Sequence, residues 1–353
     1  MNITAVVETT ENCNLNCTFC LRPSFKSSLM SVEVLEKVIK EILKYSDKRV
    51  DFIWHGGEPL MAGIDFFKKI CEFQKKYNKK KIKIFNNVQT NGTLLNKEFV
   101  DFFERNNFFI GTSVQGIKEI HDKTRVTKNG DPTYEVVMKK ISKLKQKPSS
   151  IVVLTKEILG REKEIYYNLK EKFRGIRISE YFPRNGLKDP LIPSAKEMGE
   201  SLVRFYEVWK RDNNPIDIRP ITEIIRSFVI GKNGGCLYSQ ESCNLSILGV
   251  KNNGDFYTCL RCFPNKNFFL GNINSCSPLK NRWKVGKKML NERISNLRKG
   301  VCKDCRFWEI CNGGCPQESL KLYGDLKHKT FYCNGRKILF EHILKDLKIK
   351  WHK

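Results

Sequence analysis

Three cysteines near the amino terminus, Cys13, Cys17 and Cys20, constrain this chain more than any other feature. Their C-x3-C-x2-C spacing places three thiolates on one short loop. Such a loop can ligate three irons of a [4Fe–4S] cube and leave the fourth iron open for an exogenous ligand, since the next cysteine is Cys71. Two alternatives stay open at this point: three incidental cysteines, or half of a zinc site.

The spacing resembles the signature of the radical S-adenosylmethionine (SAM) superfamily. The resemblance implies that the open iron chelates the amino and carboxylate groups of SAM. It also implies that one electron cleaves the sulfonium to give a 5′-deoxyadenosyl radical. By the same resemblance, Phe19 lies against the adenine of SAM.

The charge of the chain is strongly basic, with 64 Lys and Arg against 38 Asp and Glu and a formal net charge of +26. Such a balance raises nucleic-acid binding as a possibility. However, the lysines are scattered over predicted helix faces and the chain has no nucleic-acid motif, which favours a solvated lysine-rich surface. The positive field would also steer an acidic leader peptide or an acidic electron donor such as a ferredoxin or flavodoxin.

The chain has no apolar run near the roughly 18 residues that a membrane span needs. Its first ten residues lack the basic and apolar regions of a signal peptide. Fourteen cysteines without an export signal argue for metal binding rather than disulfides. We therefore expect a cytoplasmic protein without a membrane partner.

Strand-like and helix-like segments alternate through the first half of the chain. After a strand at the amino terminus, strands are predicted at 49–54, 81–88, 108–114, 151–154 and 175–181, and helices at 31–45, 64–77, 96–105, 133–144, 162–173 and 195–212. This alternation predicts parallel βα units. About six units are too few for a closed eight-fold barrel, so we predict an α/β fold with a partial (β/α)6 TIM-like barrel.

Polar residues and glycines follow the predicted strands, and parallel sheets place their sites at that edge. Gly56 and Gly57 let backbone approach a ligand closely, and Glu58 offers a carboxylate to an ammonium group. The superfamily uses such a Gly-Gly-Glu motif to hold the SAM amino group. A tight β-to-α turn is the alternative interpretation. Asn91 and Ser113 follow the next two strands.

Arg125 is a candidate partner for the SAM carboxylate. A surface salt bridge with Asp122 is the alternative for this arginine. The order of three segments, Phe52–Leu60, Gln89–Leu95 and Glu119–Arg125, resembles the anaerobic sulfatase-maturating enzymes and their relatives. That resemblance implies that Phe19, Gly57, Ser113 and Arg125 contact SAM.

The second half of the chain holds ten of the cysteines, between Cys236 and Cys333. Their spacing, C-x10-G-x4-C followed by C-x2-C-x5-C-x3-C and a last cysteine, is similar to the SPASM domain pattern. The resemblance implies two auxiliary [4Fe–4S] clusters and therefore three clusters in all. The implied ligands are Cys236, Cys243, Cys259 and Cys315 for the first cluster and Cys302, Cys305, Cys311 and Cys333 for the second.

A zinc ribbon built from Cys302, Cys305, Cys311 and Cys315 is the alternative. Of the remaining cysteines, Cys71 is predicted to lie in the core and Cys276 in a loop. Cys262 is a candidate catalytic residue, either as a hydrogen-atom donor or as an exchangeable ligand.

The chain departs from the sulfatase-maturating pattern where the family's substrate-facing carboxylates stand. Leu260 follows Cys259 in place of an Asp that accepts a proton, and Gln115 replaces a second Asp. Leucine cannot act as a base. The candidate replacements are Cys262, Tyr257, and Glu180 or Tyr181 at the last barrel strand.

We expect a barrel at 1–214, a bridge at 215–235, a SPASM domain at 236–334 and a carboxyl-terminal helix at 335–353. The predicted function is that of a radical SAM enzyme that abstracts a hydrogen atom from a peptide or protein side chain. Such a step can lead to oxidation, crosslinking, thioether formation or epimerisation. Formylglycine formation on sulfatases, despite Leu260, is one alternative. A non-catalytic Fe–S or nucleic-acid-binding protein is the other.

Overall fold

The amino-terminal half of the chain forms alternating strands and helices. The computed structural model describes residues 2–21, 28–182, 186–233, 247–280 and 282–351. The strands in this half are β1 (Asn2–Thr10), β2 (Arg49–Gly56), β3 (Lys83–Thr90), β4 (Phe108–Ser113), β5 (Ser149–Leu154) and β6 (Gly175–Glu180). The helices are α1 (Val32–Lys44), α2 (Ile64–Tyr77), α3 (Lys97–Arg105), α4 (Lys118–Thr124), α5 (Tyr134–Ile141), α6 (Glu162–Lys170) and α7 (Ala195–Lys210). The six predicted βα units are confirmed.

The carboxyl-terminal half adds four short strands and five further helices to the described part of the chain. The strands are β7 (Asp217–Arg219), β8 (Ile247–Val250), β9 (Asp255–Tyr257) and β10 (Phe269–Asn272). The helices that follow β7 are α8 (Ile221–Ile230), α9 (Arg282–Lys299), α10 (Trp308–Cys311), α11 (Pro316–Tyr323) and α12 (Cys333–Asp346). None of the helices in the described ranges is both long and apolar enough to cross a bilayer.

All ten described strands belong to one sheet in the order β10-β9-β8-β1-β2-β3-β4-β5-β6-β7. Strands β1 to β7 pair in parallel, and β8 pairs in parallel with the outer side of β1. The strands β9 and β10 are antiparallel to their neighbours. The sheet is therefore an open, partial barrel, as predicted. The sheet also extends across the expected boundary near residue 214, because β7 pairs with β6 and β8 pairs with β1.

The two faces of the sheet differ in burial. Phe52 and Trp54 of β2 are fully buried beneath the helices, and their rings stack at 5.2 Å. Residues that alternate with them, such as Ile53, Gln89 and Ser113, are half-buried on the opposite face. Because side chains alternate across a strand, this second face lines the inside of the barrel.

Local sequence signals account for the ends of the long helices. The Ser31 side chain accepts the backbone N–H of Val34 at the start of α1, as a capping residue should. Ser194 and Glu197 form a reciprocal capping box at the start of α7. The short helix α4 was not predicted, because seven residues are too few to show a helical period.

Candidate active site

The loop that carries Cys13, Cys17 and Cys20 leaves the end of β1 and is fixed by backbone hydrogen bonds. Asn16 donates to the carbonyl of Val126 at 2.8 Å, and Thr18 donates to the carbonyl of Thr124 at 2.9 Å. Both partners flank Arg125. The same contacts therefore fix the cysteine loop and bring this arginine next to it.

The three thiols share one electrostatic environment. The pKa of Cys13 is raised to about 11, mainly by burial and also by the negative charges of Glu58, Cys17 and Cys20, while a hydrogen bond from the Leu15 backbone opposes the shift. Burial also raises the pKa of Cys17, while the nearby guanidinium of Arg125 opposes that shift. Thiolates held together in this way need cationic or N–H partners, or a metal, to remain deprotonated.

Nitrogen donors lie close to two of these sulfurs. Arg125 Nη1 is 4.0 Å from Cys17 Sγ, and Asn91 Nδ2 is 3.9 Å from Cys13 Sγ. Within the described ranges, no three Cys, His, Asp or Glu side chains are arranged to hold a single metal ion. A [4Fe–4S] cube binds each thiolate at a different corner, so its ligands need not converge on one point. The loop and its N–H donors fit such a cluster.

Arg125 is buried between the cysteine loop and the ring of Phe19. Its side chain is 7% exposed, and its guanidinium carbon is 4.9 Å from the centroid of the Phe19 ring. Its Nε is a buried donor without a hydrogen-bond partner among the described residues. Asp122 instead pairs with Lys118 at 2.9 Å. The alternative of a surface salt bridge between Arg125 and Asp122 is therefore wrong.

The glycine pair after β2 is required by a close approach of two backbone segments. A Cβ at Gly57 would lie 2.0 Å from the carbonyl oxygen of Asn12, a distance that no side chain tolerates. The backbone N–H of Gly57 donates to Thr10, and that of Glu58 donates to Asn12, both at 2.8 Å. These glycines thus pack the β2 turn directly beneath the start of the cysteine loop.

The Glu58 carboxylate is completely buried and is engaged by protein donors. It accepts hydrogen bonds from Thr90 Oγ1 at 2.6 Å, from the Asn91 backbone at 2.7 Å and from the Leu60 backbone at 3.1 Å. Burial raises its pKa to about 7, an effect that these bonds partly oppose. The predicted contact with a ligand ammonium stays a prediction. What the geometry adds is that Glu58 joins the ends of β2 and β3.

Asn91 and Ser113 lie where the sequence predicted, after β3 and at the end of β4. The Asn91 side chain donates to Asn14 Oδ1 at 2.9 Å, and Asn14 donates to Thr93 at 2.7 Å. Ser113 accepts a hydrogen bond from Gln89 at 3.1 Å on the inner face of the sheet. The candidate SAM residues therefore surround one edge of the barrel beside the thiols.

A second group of thiols gathers around the start of α12. The pKa of Cys302 is raised to about 11, mainly by burial and also by the negative charges of Cys311, Cys305 and Cys333. These four are the residues predicted for the second auxiliary cluster. The zinc-ribbon alternative replaces Cys333 by Cys315, which lies at the start of α11. The proximity of Cys333 to Cys302 favours the cluster grouping.

The remaining cysteine predictions have different outcomes. Cys236, Cys243 and the side chain of Cys262 lie outside the described residues. Cys259 is half-buried. Cys71 is half-buried against the core, with its pKa raised to about 11 by burial, and Cys276 is an exposed loop thiol, as expected.

Gln115 and Leu260 stand where the family carboxylates are expected, and two of the candidate replacements, Glu180 and Tyr181, have structural partners. Gln115 is fully buried, and its amide pairs with both backbone groups of Val153. Tyr181 donates its hydroxyl to Asp189 at 2.7 Å. Burial raises the pKa of Tyr257, so a smaller fraction of this phenol is deprotonated and able to act as a base at a given pH. Leu260 packs its backbone against Gly249, where a Cβ would lie 2.2 Å from the Leu260 nitrogen.

Two buried arginines near the second thiol group were missed by sequence reasoning. Arg336 forms a bidentate ion pair with Glu180 and lies 3.6 Å from Cys311 Sγ. Arg293 donates to the carbonyls of Gly313 and Gly314, in the loop between Cys311 and Cys315, at 2.8 and 3.2 Å. Their partners are distant in sequence, so no local spacing could have identified them.

Comparisons with known proteins agree with this geometry. The family model described as the radical SAM superfamily matches residues 7–164. A cysteine-type anaerobic sulfatase-maturating enzyme of Clostridium perfringens is 29% identical, over 94% of this chain and 93% of the relative. A serine-type anaerobic sulfatase-maturating enzyme of Bacteroides thetaiotaomicron is 30% identical, over 94% of this chain and 86% of the relative.

The fold is also similar to solved structures. The structure of native anSMEcpe with bound AdoMet superposes with a TM-score of 0.87 at 28% identity, covering 98% of each chain. Streptococcus suis SuiB bound to the precursor peptide SuiA shares the fold with a TM-score of 0.67 at 16% identity, over 93% of this chain and 74% of that one. This chain therefore belongs to the radical SAM superfamily and, within it, to the family of the anaerobic sulfatase-maturating enzymes.

Proposed function

We propose that this radical SAM enzyme binds SAM beside Cys13, Cys17 and Cys20 and modifies a side chain of a peptide or protein. One observation carries the proposal: a buried guanidinium, Arg125, lies against both Cys17 and Phe19 and keeps one N–H without a partner among the described residues. Arginine is well suited to a carboxylate such as that of SAM. The anSMEcpe structure contains AdoMet, which supports the same ligand here.

The remaining candidate contacts would orient SAM around this arginine. The predicted set is Phe19, Gly56, Gly57, Glu58, Asn91, Ser113 and Arg125. When bound, the cluster and SAM supply a one-electron cleavage that yields a hydrogen-abstracting radical. The chain's own residues hold the thiolates and present N–H donors to their sulfurs.

Two auxiliary [4Fe–4S] clusters are the second part of the proposal. The ligands would be Cys236, Cys243, Cys259 and Cys315 for one cluster and Cys302, Cys305, Cys311 and Cys333 for the other. The mutual proximity of Cys302, Cys305, Cys311 and Cys333 supports the second set. We propose a barrel at 1–214, a bridge at 215–235, the cluster domain at 236–334 and a carboxyl-terminal segment at 335–353 that contains most of α12.

Anaerobic reconstitution tests both parts. The wild-type chain should hold about twelve irons, four in each of three clusters, and should release 5′-deoxyadenosine from SAM under a strong reductant. Cys13→Ala should abolish that release and lower the iron content. An iron content near four would refute the auxiliary clusters. A failure to bind SAM would restore the alternative of a non-catalytic Fe–S protein.

Sulfatase maturation is the second candidate, and the names of the relatives favour it. Against it stands Leu260, where a proton-accepting Asp is expected. A Cys-x-Pro-x-Arg peptide decides between the candidates. Conversion of its cysteine to formylglycine, seen by mass spectrometry and absent for the matching alanine peptide, would establish this candidate. An unchanged peptide together with active SAM cleavage would exclude sulfatase maturation and favour a different modification of a peptide or protein.

A ferredoxin or flavodoxin is the proposed electron donor, because an acidic protein is attracted to a chain with a formal charge of +26. We also propose a cytoplasmic location, where thiols stay reduced for cluster assembly. Cys262 is the proposed catalytic thiol. Cys262→Ser should preserve SAM cleavage and lose peptide modification if this assignment is right.

A further inference from the structure

Arg336 lies between a barrel strand and a predicted cluster ligand. It is in the first turn of α12, and its Nε and Nη2 donate to the two carboxylate oxygens of Glu180 at 2.8 and 2.7 Å. Its remaining terminal nitrogen, Nη1, is 3.6 Å from Cys311 Sγ. Glu180 is the last residue of β6. One guanidinium thus contacts the end of the barrel and a cysteine of the second thiol group.

This ion pair is almost inaccessible to solvent. Arg336 is 5% exposed and Glu180 is 7% exposed. Burying two charges carries a large desolvation cost. A buried ion pair can often be replaced by apolar residues of similar volume without loss of stability. The geometry is bidentate, which fixes the orientation of the guanidinium plane. Glu180 therefore determines where the third nitrogen of Arg336 points, which is toward Cys311.

The two charges of the ion pair have opposite electrostatic effects on Cys311 Sγ. The positive charge of Arg336 and its N–H stabilise negative charge on Cys311 Sγ, whereas the carboxylate of Glu180 on the other side of the guanidinium opposes this effect. Glu318 is a second buried carboxylate whose negative charge also acts on Arg336 and whose oxygens accept from Thr330. A guanidinium keeps its proton in proteins, so the group beside Cys311 is a permanent cation.

A cation and an N–H donor at a cluster sulfur favour the more negative, reduced state of the cluster. A carboxylate behind that cation opposes the effect. We propose that Arg336, oriented by Glu180, is a positioning residue that raises the reduction potential of the cluster bound by Cys302, Cys305, Cys311 and Cys333. This inference rests on the auxiliary cluster of the proposed function.

A second contact keeps the geometry rigid. The hydroxyl of Tyr332, the residue before Cys333, donates to the backbone carbonyl of Tyr181 at 3.0 Å. Tyr181 directly follows Glu180. The end of β6 is thus joined to the start of α12 at two adjacent points. A change at this end of the barrel would therefore move the cation that faces Cys311.

An anaerobic redox titration of the reconstituted full chain tests the proposal, using the electron paramagnetic resonance signal that Cys302→Ala removes. Arg336→Gln should lower the midpoint potential of this signal, because the reduced cluster loses a cation. Glu180→Gln should raise it, because the negative charge is removed while the remaining amide oxygen can still accept a hydrogen bond from Arg336. We expect at least a tenfold change in the ratio of reduced to oxidised cluster at fixed potential, which is about 59 mV for one electron. Arg336→Lys should fall between Arg336→Gln and wild type.

Arg306→Gln is the matched control, since Arg306 follows Cys305 but pairs with Glu341 at an exposed site. Its shift should be smaller, because solvent screens the charge. If the ion pair only braced the fold, both variants would weaken the brace and shift the midpoint potential in the same direction. Opposite shifts for Arg336→Gln and Glu180→Gln would therefore show an electrostatic effect of the two charges. Unchanged potentials with about twelve irons would overturn this inference and leave the proposed function intact. About four irons in the wild type would instead overturn the auxiliary clusters themselves.

Discussion

Glu58 accepts the backbone N–H of Asn91 at 2.7 Å and so joins the turn after β2 to the turn after β3. Asn91 in turn places its side-chain amide 3.9 Å from Cys13 Sγ. A buried carboxylate thereby controls the position of an N–H donor at a candidate cluster ligand. The Gly-Gly-Glu segment thus holds the start of the cysteine loop through its hydrogen bonds to Thr10 and Asn12, independently of any contact with a bound ligand.

The stability contributed by Glu58 should decrease as the pH rises. Burial raises its pKa from 4.5 to about 7, so the folded chain holds this proton more tightly than the unfolded chain. The contribution is complete below pH 4.5 and is lost as the pH passes through about 7. The free energy of unfolding of wild type relative to Glu58→Gln should fall by up to about 3 kcal/mol over this range. Anaerobic urea unfolding at a series of pH values measures it, and a pH-independent difference would contradict the burial of Glu58.

Arg125→Lys should weaken SAM binding. Lysine keeps the positive charge but loses the planar, multiply donating group that reaches both Cys17 and Phe19. We expect a loss of about 10- to 100-fold in affinity, equivalent to about 1.5–3 kcal/mol, measured by calorimetry on the reconstituted protein. Lys118→Ala is the control, because Lys118 forms an exposed pair with Asp122 and should not affect binding. An unchanged Arg125→Lys affinity would remove Arg125 from the SAM site.

Gln115→Glu should destabilise the fold although the shape of the side chain is kept. The new carboxylate cannot donate to the Val153 carbonyl and would be buried against that oxygen. We expect a loss of about 1–3 kcal/mol in the free energy of unfolding, measured by chemical denaturation. Gln89→Glu, on the half-buried inner face, should cost less. Equal costs for the two variants would mean that Gln115 does not bridge β4 and β5.

Cys333→Ala should lower the iron content from about twelve to about eight per chain. The expectation follows because the negative charge of Cys333 acts on Cys302 within the second thiol group. Cys276→Ala should leave the iron content unchanged, since Cys276 is an exposed loop thiol. Iron and acid-labile sulfide assays give both numbers. A Cys333→Ala chain that retained all its iron would favour a ribbon-like site completed by Cys315.

The sequence predicted features whose signals are local. Ser31 could be identified as a helix cap because its partner, Val34, lies three residues away. The cysteine spacings were equally readable, since ligands on one loop need short, fixed gaps. The parallel strands were predictable from their alternation with helices, and the observed partial barrel confirms that prediction.

Features that depend on tertiary pairing were not predictable in this way. Arg336 and Glu180 are 156 positions apart, and neither neighbourhood suggests an ion pair. The close approach of Gly57 to Asn12 depends on how two loops stack. The pairing of β8 with β1 involves a strand of four residues, too short to carry a period. In each case the partner that stabilises the residue comes from another part of the chain.

The pairing of β8 with β1 has a consequence for any attempt to produce the amino-terminal half by itself. A fragment ending near residue 214 would keep β2 but would lack β8, the neighbour of β1 on its outer side. The backbone groups of Thr4 to Val7 that face β8 would then be open to other chains, and exposed strand edges of this kind promote association. Expression trials of such a fragment should yield aggregates, whereas the full chain covers this edge with its own carboxyl-terminal half.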